Sequence, residues 1–294
     1  MPSHDSRPRV AILGLGLLGG SLGLALRAAS PPYSVAGYDA RSEITRLAAE
    51  RGVIDEAGAT VTAAVAGAGL IILATPISAM PDLLREVALA ADPGAVITDV
   101  GSTKARMCQW AGATLPYPER FVGGHPMAGS EQAGLAHADG NLFRECVWCL
   151  TPEASSAPVA VETVERMVRA VHARPLMMDA RRHDDAVALV SHVPLAVAAA
   201  LIHATAGSPL WPDARVLAAS GFRDTTRIAS GDPEMARDIF LTNSEPVVAG
   251  LDACISTLVA LREHIASHDP AVEATFRAAR SSRDAWLATR EGGS

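Results

Sequence analysis

Three glycines set the first constraint on this chain. The apolar run Arg9–Gly14 stops at Gly14-Leu15-Gly16-Leu17-Leu18-Gly19, and the apolar helix pattern Leu18–Ala29 takes over. Glycine at these positions serves three ends: a tight turn at Gly14, backbone approach to a pyrophosphate at Gly16, and close helix–strand packing at Gly19. The helix that follows opens with unpaired N–H groups and the positive end of its dipole, an anion site. A second run, Tyr33–Asp39, closes on a carboxylate about 20 residues past the last glycine, where it can accept both hydroxyls of a ribose. Phosphate contacts are therefore expected at Gly14, Gly16, Leu17, Leu18 and Gly19, and a ribose contact at Asp39. The Asp39 carboxylate repels a 2′-phosphate, which favours NAD over NADP; Arg41, two positions on, softens that preference.

Strand and helix patterns alternate through the first part of the chain. Arg41–Arg51 reads as a polar-faced helix closed by Gly52. Leu70–Thr75 and Ala95–Val100 are continuous apolar runs, the kind buried on both faces of a parallel sheet. Phe121–His125, Cys146–Leu150 and Pro175–Met178 are weaker strand candidates. Alternation of this kind implies right-handed crossovers and an open sheet. The expected fold class is α/β: a dinucleotide-binding Rossmann-type domain over residues 1–178, followed by an all-α dimerisation domain over residues 179–294. In the second part, Asp232-Pro233, Ser244-Glu245-Pro246 and Asp269-Pro270 mark helix starts, each a capping side chain followed by proline in the first turn. Val247, Leu251, Cys254, Leu258, Leu261 and Ile265 form one apolar stripe. Ala186–Ile202 is apolar nearly all round and needs cover from other helices or a second subunit, so a homodimer is expected.

Composition narrows the function classes. With 294 residues, 49% apolar and 19% charged, the chain has the material for two buried cores. A net charge of −7 and only 4% aromatic residues argue against a nucleic-acid partner. Four cysteines without regular spacing indicate neither a disulfide framework nor a metal cluster. The polar start Met1–Pro8 carries no signal-peptide pattern. Ser191, His192 and Pro194 interrupt the most lipid-like stretch, so it reads as a core helix and not a membrane span. The expectation is a soluble cytoplasmic protein. Lys104 is the sole lysine among 25 basic residues, which makes it more informative than any single arginine.

Two polar segments follow predicted strand ends: Asp99-Val100-Gly101-Ser102-Thr103-Lys104 and Gly123-Gly124-His125-Pro126-Met127-Ala128-Gly129-Ser130-Glu131. Ligands of open α/β sheets bind outside the carboxyl ends of the strands, so Ser102 and His125 are expected to face a nicotinamide. Thr75-Pro76, ending the third clear strand, is expected beside its ribose. An imidazole held on a fixed Gly/Pro turn suits a general base near neutral pH. Within the apolar helix, Pro194 frees the carbonyl of Val190 and predicts a kink beside His192.

The segments GLGLLGGSLGLAL, DVGSTK, GGHPMAGSEQAG, HDDAVALVSHVPLA and GFRDTTRIASGDPEMARDIFLTN, in this order, resemble the prephenate/arogenate dehydrogenase (TyrA) family over about residues 9–268. The resemblance implies an NAD-dependent enzyme acting on a small cyclohexadienyl substrate. His125 matches the family's catalytic histidine, which takes the proton of the ring C4 hydroxyl as hydride leaves C4; loss of the C1 carboxylate as CO2 then makes the ring aromatic. Ser102 matches a serine that orients the imidazole and the hydroxyl. Arg227 matches a carboxylate-binding arginine, and Arg223, one helical turn earlier, offers a second charge. His192 matches a substrate contact, and Ser130 and Glu131 match positions near the substrate side chain. The sequence leaves prephenate, arogenate and 4-amino-4-deoxyprephenate open as substrates.

Other constellations carry less. Cys146-Val147-Trp148-Cys149 has redox spacing, but residues three apart on a strand point to opposite faces. His183-Asp184-Asp185 has metal-binding residue types but leads into the apolar helix, and is read as structural; no metal is expected. His137, His172, His264 and His268 read as surface residues. A non-catalytic NAD(H) sensor would have no use for His125, Ser102 and paired arginines. A 3-hydroxyacid dehydrogenase would place a catalytic lysine in the helical part, where this chain has none.

Overall fold

In the first strand, β1 (Arg9–Leu13), alternate side chains serve two different cores. Val10 and Ile12 join one layer with Leu22, Leu26 and Val35, while Ala11 and Leu13 join another with Ile71, Leu73 and Leu84. The strand is buried on both faces, as a continuous apolar run in a parallel sheet requires. The computed structural model describes residues 7–129 and 132–291. The chain divides into two units, Met1–Ser244 and Glu245–Ser294.

The first unit runs on through α1 (Leu17–Ala28), β2 (Ser34–Tyr38), α2 (Ser42–Glu50), β3 (Glu56–Ala57), α3 (Val61–Val65), β4 (Leu70–Leu73), α4 (Met80–Ala90), β5 (Val96–Asp99), α5 (Ala105–Thr114) and β6 (Phe121–Pro126). It continues with β7 (Val147–Thr151), α6 (Pro158–Ala170), β8 (Arg174–Met177), α7 (Ala180–Val187), α8 (Val193–Ala206), α9 (Trp211–Leu217), α10 (Ser220–Thr226) and α11 (Pro233–Thr242). The eight strands form one sheet in the order β3-β2-β1-β4-β5-β6-β7-β8. All pairs are parallel except β6–β7, in which His125 lies opposite Cys149. β1 pairs with β2 on one side and β4 on the other, so the chain direction of winding reverses there. The loops leaving β1 and β4 open a crevice at that point. The two-residue β3 is absent from the sequence expectation, because Glu56 and Ala57 are exposed and carry no apolar signal.

The anticipated kink at Pro194 takes the form of a π-helical turn, Ala188–His192, between α7 and α8. The wide turn accommodates a proline ring that an unbroken α-helix would clash with. For this stretch the sequence calls for cover from other helices or a second subunit. Within one copy the cover is partial: Val193 and Ala198 are buried, but Leu189 and Val190 are 63% and 72% exposed. Its all-round apolar character therefore does not reflect burial inside one copy. Asp232 caps α11 as expected, accepting from the N–H groups of Glu234 and Met235 at 2.7 and 3.1 Å, whereas Ser244 stands as the first residue of α12.

The second unit holds most of α12 (Ser244–Ala266) and all of α13 (Ala271–Glu291). Asp269 caps α13 by accepting from the Ala271 N–H at 2.8 Å. Of the stripe anticipated on α12, Val247 is buried, whereas Leu258 and Ile265 are more than half exposed.

Candidate active site

The glycine loop fits the role its spacing assigns. Gly14 has φ +99°, and a Cβ there would stand 2.5 Å from the Ala74 carbonyl oxygen, so the β1 and β4 loops touch only because this residue has no side chain. A Cβ on Gly19 would collide with the Gly14 carbonyl. At Gly16 nothing lies within 4 Å of where a Cβ would be, which leaves an open cradle over the start of α1. No side chain caps that helix and its first turn carries no acid, so its free N–H groups face the opening. Asp39 stands beside the loop: its carboxylate accepts from the Leu15 N–H at 3.0 Å and from the Arg41 N–H at 3.1 Å. Arg41 Nε lies 3.4 Å from the same carboxylate, so this cation is engaged by the acid. Thr75 is half-buried, with its hydroxyl 3.6 Å from the Met80 sulfur, and Pro76 is exposed after it. Loop, helix start and acid together fit the pyrophosphate and ribose of a dinucleotide.

Across the crevice, the ends of β5 and β6 are joined by a buried ion pair. Lys104 and Asp99 are both fully buried and bonded to each other. The Lys104 ammonium also donates to the Gly124 carbonyl at 2.8 Å, and Asp99 accepts from the N–H groups of Gly101 and Gly124 at 2.8 and 3.1 Å. Each charge thus has hydrogen-bond partners besides the other, the condition under which a buried pair persists. A compact ammonium suits this enclosed place, which accounts for the one lysine in an arginine-rich chain. The pair fixes the residue directly before His125.

His125, half-buried near the end of β6, does not stand alone. Its Nδ1 is 2.9 Å from Nε2 of His183 on α7, with the rings edge-on at 5.1 Å. Nδ1 of His183 is in turn 2.8 Å from Oδ1 of Asp184. Asp184 is buried and accepts from the Lys104 and Ala105 N–H groups at 2.7 and 2.8 Å, capping α5. Asp185, by contrast, is exposed, so the His-Asp-Asp run does not converge. The structure adds a contact to the structural reading of these residues: His183 and Asp184 form a hydrogen-bond chain that ends on the candidate base. The available signal is a histidine–acid pair 58 residues beyond His125 in sequence, and only the tertiary fold brings the two together.

His192 closes the π turn and is buried. Its Nδ1 lies 3.2 Å from the Asn243 amide nitrogen, which also donates to the Asp184 carbonyl at 2.8 Å. Burial pushes His192 down to about 4, against an upward pull from Asp184 and with a further push from His183. Neutral at pH 7 and accepting at Nδ1, its Nε2 carries the hydrogen and acts as a donor. Burial also drives His125 well below the ordinary histidine range, with His183, Lys104 and His192 acting in the same direction. His125 is thus uncharged and available to accept a proton.

The remaining expected residues are less closely gathered. Ser102 is half-buried in the turn after β5, and among the described residues no hydrogen bond joins it to His125. Arg227 opens the turn Arg227–Ser230, which packs with α10 against α8. Arg223 on α10 is exposed and paired with Asp224 at 3.0 Å. Ser130 and Glu131 lie outside the described residues.

Comparison with known proteins decides the family. The nucleotide-binding domain of prephenate dehydrogenase matches residues 22–177, and the prephenate dehydrogenase dimerization domain matches residues 179–277. The chain belongs to the prephenate dehydrogenase family. A prephenate dehydrogenase of Bacillus subtilis is 36% identical over 283 residues, covering 96% of this chain and 76% of that protein. A solved prephenate dehydrogenase from A. aeolicus, in complex with hydroxyphenyl propionate and NAD+, is similar with TM-score 0.87 and 29% identity over 97% of this chain and 99% of that one. An arogenate dehydrogenase from Synechocystis is similar with TM-score 0.81 and 30% identity, covering 95% and 99%. As a member of the prephenate dehydrogenase family, the chain is an NAD-dependent oxidoreductase, and the glycine loop and Asp39 are the features that fit its cofactor.

Proposed function

We propose that the chain oxidatively decarboxylates prephenate to 4-hydroxyphenylpyruvate in tyrosine biosynthesis. The observation that carries this reading is a neutral imidazole, His125, aligned by its own hydrogen-bond chain at the carboxyl edge of a dinucleotide-binding sheet. When bound, NAD supplies the hydride acceptor, held by Gly14, Gly16, Leu17, Leu18, Gly19, Asp39, Thr75, Pro76 and Ser102. His125 takes the proton from the ring C4 hydroxyl, and Ser102 orients that hydroxyl toward it. Decarboxylation at C1 then makes the ring aromatic and the reaction irreversible. Arg227, seconded by Arg223, binds substrate carboxylate, for which a guanidinium fork is suited. His192 donates its Nε2 hydrogen to the substrate without adding charge, and Ser130 and Glu131 enter the proposal as contacts of the substrate side chain on the family resemblance alone.

The likeness to the Synechocystis enzyme keeps arogenate as a second reading, and the amino analogue as a third. NADH formation with prephenate, arogenate and 4-amino-4-deoxyprephenate separates them, and prephenate is expected to give the highest kcat/KM. His125→Asn is expected to lower kcat by about 10²–10⁴-fold. A variant as fast as wild type removes His125 from the mechanism. We further place a domain boundary near residue 178, where the two matched family domains meet, and propose a cytoplasmic homodimer built through the helical part.

A further inference from the structure

We propose that His183 is a positioning residue that fixes the tautomer of His125, with Asp184 as the fixed anion behind it. The inference rests on reading His125 as the base. Its logic starts at the far end of the chain of contacts. The Asp184 carboxylate accepts two backbone N–H groups at the start of α5, one at each oxygen, so both oxygens act as acceptors. An anionic carboxylate only accepts, so the His183 Nδ1 that lies 2.8 Å from it carries a hydrogen and donates. In a neutral imidazole the other nitrogen is then bare. His183 Nε2 therefore accepts, and the His125 Nδ1 that faces it at 2.9 Å is the donor. That leaves His125 Nε2 without a hydrogen, the state a proton acceptor needs.

An isolated histidine has no such assignment; its two neutral forms interconvert and only one exposes Nε2. The charged and titratable groups around His125 come from four elements: Lys104, paired with Asp99, from the β5–α5 side; Cys149, its cross-strand partner, from β7; His183 and Asp184 from α7; and His192 from the π turn. Of these only His183 offers an acceptor to Nδ1 among the described residues. During turnover the proton from the substrate hydroxyl resides on Nε2, Nδ1 keeps its own hydrogen, and the new positive charge faces the His183–Asp184 pair. No proton passes along the chain. The device is the one by which a buried acid orients a catalytic imidazole, with one more imidazole interposed.

The test begins without any variant. Long-range proton–nitrogen NMR of the full-length, histidine-labelled protein at a pH where His125 is neutral reads its tautomer, with His125→Asn assigning the signal. A protonated Nδ1 and bare Nε2 are expected; a hydrogen on Nε2 overturns the proposal. His183→Leu removes the acceptor and is expected to mix the tautomers and lower kcat by about 10²-fold, with KM nearly unchanged. His183→Gln, whose amide oxygen reaches the place of Nε2, is expected to restore the tautomer and most of kcat. Unchanged kcat and tautomer in His183→Leu refute the assignment, as does a Gln variant no better than Leu. If His183→Leu does not fold, the wild-type tautomer and the Gln variant still decide. A wild type that turns over none of the three substrates would sink the functional reading instead, and the nitrogen signals would judge the tautomer separately.

Discussion

At the residue scale, the site depends on charges whose worth is set by their neighbours. Lys104 has a fully buried acid as its partner, so Lys104→Met leaves Asp99 charged and unpaired away from water. A loss of about 3–5 kcal/mol is expected, read as a lower urea midpoint, because breaking a buried pair costs more than the pair contributes. His192 gives a pH signature. Its folded-state pKa of about 4 lies below the ordinary value of 6.5, so the neutral form stabilises the fold fully above pH 6.5, and that contribution is lost as pH falls toward 4. His192→Gln is expected to flatten the acid limb of a Tm-against-pH curve over that window; an unaltered limb would remove His192 as its source. Asp39 sets cofactor choice. Asp39→Ser removes the repulsion of a 2′-phosphate and frees Arg41 to meet it, so the ratio of kcat/KM for NAD over NADP is expected to fall at least tenfold, a change of about 1.4 kcal/mol.

At the scale of elements, what the sequence makes legible depends on whether the signal is local. Strands β1, β4 and β5 are buried on both faces and read directly from Val10–Leu13, Leu70–Leu73 and Val96–Asp99. The glycine turn and the proline-marked helix starts are equally local. His183 and Asp184 are not: their meaning lies in contacts with His125 on β6 and with the N-terminus of α5, dozens of residues away. The segment DIFLTN, matched to a family only as a string, has the same hidden content. Asp238 on α11 accepts from the Ser78 N–H at 3.0 Å, Thr242 meets Thr103 at 2.9 Å, and Asn243 reaches both Asp184 and His192. One helical face thus binds the β4 loop, the β5 loop and the helix carrying His192. Burial raises the Asp238 carboxyl, but its bonds to Ser78 and Arg237 outweigh that and bring it down overall. Asp238→Ala removes the charged acceptor of the Ser78 N–H and is expected to cost about 1–3 kcal/mol by chemical denaturation. Hydrogen exchange is expected to rise first in α11 and residues 77–79; faster exchange spread evenly over the sheet would show that Asp238 does not link these elements.

For the whole molecule, the open question posed by the chain is what covers its helices. Leu189 and Val190 stand out from the π turn in the first unit; in the second, Val248, Ile255, Leu258 and Val259 lie at helical spacing on α12, from 39% to 55% exposed. The segments Ala180–Ala206 and Ser244–Ala266 are long and apolar enough to cross a membrane by composition. Lipid is a poor cover for the first, since it carries Asp184 and His183 hydrogen-bonded to Lys104 and His125 of the sheet domain, and a buried His192 bonded to Asn243. The homodimer proposed above would cover such residues without exposing those groups, since exposed apolar residues clustered on a helix face mark association surfaces. Light scattering in detergent-free buffer is expected to give twice the chain mass of 30.5 kDa. Ile255→Asp with Leu258→Asp places charges that water tolerates on a lone helix but that a dimer seam must desolvate. That double variant is expected to run as a monomer with the helical content of wild type. A wild type that is monomeric at every concentration removes the dimer, a doubly substituted chain that still pairs moves the seam off this face of α12, and a protein that stays in solution only with detergent returns the helices to lipid.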